Sequence, residues 1–81
     1  MTAANLYAKP SLKRVRELFA TQKEMTELLN ANVGRQFQRT FFTLVENGER
    51  PVDSELAVVI ARILNVKVDD IFTSSKDKTN E

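Results

Sequence analysis

The sequence predicts an all-α fold, a compact bundle of about five short helices. Apolar residues recur at three- and four-residue spacings in four separate stretches, and the residues that punctuate these stretches are helix caps and helix breakers. The Asn47-Gly48 pair would mark a hairpin if alternating strand residues flanked it, and none do. The 81 residues make one domain with a single modest core, too small for a cleft between lobes. Residues 1–10 read as a flexible arm, 11–72 as the folded domain and 73–81 as a disordered polar tail.

Ser11 is the expected N-cap of the first helix, with Leu12, Val15 and Leu18 or Phe19 on one face and Lys13, Arg14, Arg16 and Glu17 on the other. Thr21-Gln22-Lys23-Glu24 fits a capping box and opens a second helix with Met25, Leu28 and Leu29 as its stripe. Asn30 suits a left-handed exit from that helix, and Ala31–Gln36, which includes Gly34, reads as a turn or extended loop. Phe37, Phe41, Leu44 and Val45 follow helical spacing and start a third helix at Phe37, with Phe42 beside the stripe. Gln38, Arg39, Thr40 and Thr43 fill its polar positions with side chains of the kind that hydrogen-bond base edges.

Leu44-Val45-Glu46-Asn47-Gly48-Glu49-Arg50-Pro51 closes the third helix. Asn-Gly tolerates positive φ and Pro51 forbids immediate resumption, so the octapeptide is a corner between two helices. Asp53 or Ser54 caps the fourth, whose Leu56, Val59, Ile60, Ile63 and Leu64 give the cleanest stripe in the chain, with Ala57 and Ala61 allowing close helix approach. Asn65 ends it, and a turn leads to a short fifth helix carrying Ile71 and Phe72 to the core. A strand through Val66 and Val68 would have nothing to pair with.

Composition narrows the chemistry. The chain has no cysteine and no histidine, which removes disulfides, thiolate sites, the commonest zinc ligand and the commonest general base. No nucleophile–base constellation is visible, so the chain is not expected to be an enzyme or to hold a metal or cofactor. No apolar run is long enough to span a bilayer and no signal-peptide h-region is visible, so a cytoplasmic location is expected. Net charge is +1, yet residues 1–45 hold seven Lys/Arg against three Glu and residues 46–81 hold five against eight Asp/Glu. Such a front suits polyanions.

The Thr-Gln that opens the second helix, Glu46-Asn47-Gly48-Glu49-Arg50-Pro51 after the third, and Leu64-Asn65-Val66-Lys67-Val68-Asp69-Asp70-Ile71-Phe72 after the fourth together resemble the lambda-repressor-like family. These are Cro/CI-type helix-turn-helix proteins of phages and bacteria, and the resemblance runs from about Ser11 to Phe72, most specifically from Val45 onward. It implies a third helix in the major groove and a second crossing the backbone above it. It also implies phosphate contacts from Gln22 and its neighbour Lys23, base or nearby phosphate contacts from Gln38, Arg39, Thr40 and Thr43, with Arg39 on guanine, and sugar-phosphate contacts from Asn47 and Arg50.

The implied function is a sequence-specific transcriptional regulator, a repressor, binding a double-stranded DNA operator as a homodimer in a bacterial or phage setting, nucleoid-associated. Two features depart from the family pattern. About six extra residues, Ala31–Gln36, separate the second and third helices, which lets Arg35 lie along the DNA backbone. Phe41 and Leu44 stand where small or polar groups are usual, which raises the alternative of a protein-binding module, an antirepressor or repressor partner, docking through these two side chains.

Overall fold

The structure is a computed structural model that describes residues 5–74; positions 1–4 of the expected arm and 75–81 of the expected tail lie outside the described residues. In chain order it comprises β1 (Tyr7–Ala8), α1 (Pro10–Phe19), α2 (Gln22–Val33), α3 (Arg39–Glu46), α4 (Ser54–Leu64), α5 (Val68–Ile71) and β2 (Phe72–Thr73). The five helices enclose one core in which Leu12, Met25, Leu29, Phe42, Val45, Ala57, Ile60 and Ile71 are fully buried. The all-α expectation therefore holds, with one small sheet added.

That sheet changes the reading of the N-terminus. Tyr7 pairs with Thr73 and Ala8 with Phe72 in antiparallel register, and Leu6 exchanges backbone bonds of 2.8 and 2.9 Å with Val52. From Leu6 onward the expected arm is thus stitched to the corner after α3 on one side and to the end of α5 on the other. Sequence periodicity misses such two-residue strands because two residues have no period.

Helix α1 starts at Pro10, with Lys9 rather than Ser11 as its N-cap; proline suits this first position because its missing N–H would have no partner there. Ser11 instead donates its hydroxyl to the Asp70 carbonyl, while Lys9 gives its backbone N–H to Ile71 O (2.8 Å) and its ammonium to Asp69 O (2.6 Å). The carbonyls at the end of α5 are satisfied by the start of α1. Leu18 and Phe19 do not join the core: Leu18 is 91% exposed, since six positions from Leu12 is about 240° round the helix. The buried stripe position is Arg16 instead.

The Thr21 capping box forms as expected, Thr21 Oγ1 accepting from the Glu24 amide and Glu24 Oε1 from the Thr21 amide. Asn30 does not end α2. The helix runs three residues further, to Val33, and leaves through Gly34 at φ 69°. Half of the expected Ala31–Gln36 insertion, residues 31–33, therefore extends α2, and the linker to α3 is residues 34–38. Helix α3 starts at Arg39, leaving Phe37 in the linker and Gln38 as an N-cap without a side-chain cap bond.

After α3, Gly48 takes φ 76° while Glu49 N donates to Leu44 O (3.0 Å) and Gly48 N to Val45 O (3.1 Å), the paired bonds of a Schellman ending. Asp53 caps α4 through Oδ1 on the Leu56 amide (2.8 Å), and Asn65 at φ 61° ends it with the same paired pattern, Val66 N to Ala61 O and Asn65 N to Arg62 O.

Candidate nucleic-acid interface

Helix α3 has two unlike sides. Phe42 and Val45 go to the core, and Glu46 is buried with them, its carboxylate facing Arg16 of α1. Arg16 Nε donates to Glu46 Oε2 (2.6 Å) and Nη2 to Oε1 (3.0 Å), while Nη1 reaches the Ala20 carbonyl at the end of its own helix (3.2 Å). This is the one ion pair among the described residues, and its side chains are 8% and 1% exposed. The bidentate geometry is what a buried pair needs to offset desolvation. The Glu46 hydrogen bond, more than the surrounding charge, holds the Arg16 pKa above its ordinary value against the opposing effect of burial.

The same carboxylate holds Gln22. Gln22 Nε2 donates to Glu46 Oε1 (2.9 Å), and the Thr43 hydroxyl lies 2.9 Å from Gln22 Oε1 and 3.1 Å from the Arg39 carbonyl, sharing its one proton between them. A chain of polar contacts thus runs from α1 through α3 to the first residue of α2 and fixes how the start of α2 sits against α3. Gln22 retains one amide hydrogen for an external acceptor, next to the free backbone amides of a helix start.

The other expected site residues fall into two groups. Gln38, Arg39 and Thr40 are exposed along the first turn of α3, and the Arg39 guanidinium makes no hydrogen bond or ion pair with the described residues. Lys23 is exposed on the first turn of α2, and Asn47 is the exposed C-cap of α3. Residues 28–45 contain two arginines and no carboxylate, although Asp53 and Glu55 at the start of α4 line a small pocket together with Arg35.

Arg35 and Arg50 lie at the two ends of an aromatic pair. The Phe37 and Phe41 rings stack at 4.1 Å between centroids, 10° from parallel. The Arg35 guanidinium carbon sits 5.5 Å from the Phe37 centroid and that of Arg50 5.3 Å from the Phe41 centroid. Asn30 sets Phe37 in place: its Oδ1 accepts from the Phe37 amide (2.8 Å) and its Nδ2 donates to the Phe37 carbonyl (2.9 Å). One side chain therefore satisfies both backbone groups of a linker residue, as a neighbouring strand would.

Phe41 and Leu44, expected as exposed apolar contacts, are half-buried, and Phe41 is engaged by Phe37 and the core. The large exposed apolar side chains among the described residues are Leu18, Phe19, Leu28 and Val58. Phe19 and Leu28 line a shallow groove with Ala20, Glu24 and Glu27.

Sequence reasoning missed Arg16, Glu46 and Asn30. A signal existed for the pair: Arg16 follows the buried Leu12 by four residues and Glu46 follows the buried Phe42 by four, so opposite charges occupy stripe positions on two helices. Among the described residues no helix is long and apolar enough to cross a membrane, and no group of three or more His, Cys, Asp or Glu gathers as a metal site. No family model, curated protein or solved structure matches this chain.

Proposed function

We propose that this chain is a sequence-specific double-stranded DNA-binding regulator of the Cro/CI-like helix-turn-helix type, a cytoplasmic, nucleoid-associated repressor and not an enzyme, acting without a cofactor. In this reading α3 lies in the major groove and the start of α2 approaches the backbone. The observation that carries it is the exposed first turn of α3: Gln38, Arg39 and Thr40 have outward polar groups, Arg39 has no internal partner, and the flanking Arg35 and Arg50 are not neutralised by ion pairs.

Arg39 serves as the guanine reader, with Gln38 and Thr40 beside it. Gln22, Lys23, Asn47 and Arg50 contact phosphate or sugar and set the register. Thr43 acts chiefly by fixing Gln22, since its hydroxyl is already committed internally. A module this small buries little surface alone, so two copies on paired half-sites are part of the proposal.

Fluorescence anisotropy tests it with wild-type protein, first on a short duplex of arbitrary sequence and then on duplexes selected from a random pool. Salt-sensitive micromolar binding to any duplex and a palindromic selected consensus are expected. Arg39→Ala should relax preference at one base position by about 1–3 kcal/mol, whereas Arg50→Ala should weaken all sequences alike and lower the salt slope by about one unit. Equal affinity for every duplex before and after Arg39→Ala overturns the sequence-specific reading.

A second reading rests on one observation: Phe19 and Leu28 are exposed and line one groove. It makes the chain a protein-binding module that uses this face in place of Phe41 and Leu44, with little affinity for DNA. Absence of salt-sensitive duplex binding favours it.

A further inference from the structure

We propose that the stacked Phe37–Phe41 pair is a positioning platform that holds Arg35 and Arg50 as two phosphate-binding guanidiniums flanking the exposed turn of α3. The inference rests on the DNA-binding reading and deepens it, by assigning a role to two phenylalanines that touch no base.

Both arginines are exposed, both lie in turns, and neither makes an ion pair, so on an ordinary surface each would sample many rotamers and lose that freedom on binding phosphate. Here each guanidinium sits within 6 Å of a ring centroid, at cation–π distance, and the two rings stack on each other. The order is Arg35, Phe37, Phe41, Arg50, a ladder with a cation at each end. An arginine over a ring keeps its N–H edge free, and that edge carries the donors that match phosphate oxygens in pairs.

The platform is itself rigid for reasons independent of the arginines. Phe41 is the third residue of α3 and half-buried against the core, and Phe37 is fixed by the two Asn30 hydrogen bonds. The two cations come from chain segments fifteen residues apart, one in the linker before α3 and one in the corner after it, so the ladder also couples the two turns that orient the helix. A pair of phenylalanines serving only as core would not need a cation over each ring. Prepositioned donors bind more tightly because less conformational freedom is lost on binding.

A double-mutant cycle on duplex binding tests this, with the full chain, a short duplex of arbitrary sequence and a salt series. Arg50→Ala is expected to lower the salt slope by about 0.9 unit, as is Arg35→Ala. Phe41→Leu, which keeps an apolar group in place, should weaken binding about two- to five-fold in the wild type and by less in the Arg50→Ala variant, where only the Arg35 end of the stack remains to be disturbed. Phe41→Tyr, which keeps the ring, should bind as wild type does.

Additive effects of Phe41→Leu and Arg50→Ala overturn the platform while leaving the DNA-binding reading intact. If Phe41→Leu does not fold, as judged by circular dichroism, the cycle of Phe37→Leu with Arg35→Ala gives the decision. Non-additive losses support the ladder, and additive losses overturn it. Failure of the wild type to bind any duplex overturns both the ladder and the reading beneath it.

Discussion

The two turns that bracket α3 do the same job by different means. The corner after it, Asn47 to Pro51, is set by local backbone chemistry: Gly48 takes the positive φ, paired bonds to Leu44 and Val45 close the helix, and proline blocks continuation. The linker before it, residues 34–38, is set from a distance, by the Asn30 side chain reaching seven residues forward to both backbone groups of Phe37. A turn of the first kind is specified by its own residues, whereas a turn of the second kind depends on a helix that must already be in place.

The largest effect should come from the end of α3 that is anchored twice. Glu46→Ala leaves Arg16 charged and buried without its partner, and should cost about 3–5 kcal/mol in urea unfolding. A cost under about 1 kcal/mol, as for a surface pair, would break the view that this pair anchors the helix. Because the Arg16 pKa is raised, its contribution is fully present below the ordinary arginine value and is lost only as pH climbs through the raised one. Moderate alkali should therefore leave the arginine side of the pair intact.

Asn30→Ala comes next. It removes both bonds to Phe37 and should cost about 1–3 kcal/mol, together with weaker duplex binding because Phe37 carries the Arg35 end of the ladder. Gly48→Ala should cost about 1 kcal/mol, from φ alone, since the added Cβ meets only the Ala8 carbonyl at ordinary contact distance. Equal binding losses from the two variants would remove the distinction between the turns. The smallest effect is expected from mild acid. The chain has no histidine, so duplex affinity should stay flat between about pH 5.5 and 7 at fixed salt.

The contrast between the turns also explains which parts of the fold were legible in the sequence. Leu29-Asn30 and Leu64-Asn65 present the same local signal, an apolar stripe followed by asparagine. Asn65 does end its helix in the left-handed region, whereas α2 continues through Ala31, Asn32 and Val33 to a better left-handed residue, Gly34. Local propensity does not separate the two cases, because what holds Asn30 is a contact with Phe37. The capping box at Thr21, the Asp53 cap and the corner at Gly48 were readable because each closes within a few residues. The Arg16–Glu46 pair and the Leu6–Val52 bridge join residues far apart in sequence, and the only trace of them was a charge on each of two apolar stripes.

In the proposed function, the face formed by the start of α2, the linker, α3 and the corner meets duplex DNA. Amide chemical-shift mapping by NMR, titrating the wild-type chain with a short duplex, tests it directly. The expected result is a contiguous set of shifted amides at Gln22, Lys23, Arg35, Gln38 to Thr40, Thr43, Asn47 and Arg50, with Leu18, Phe19 and Leu28 unmoved. Shifts confined to Leu18, Phe19 and Leu28, or no shifts at low salt, would contradict it.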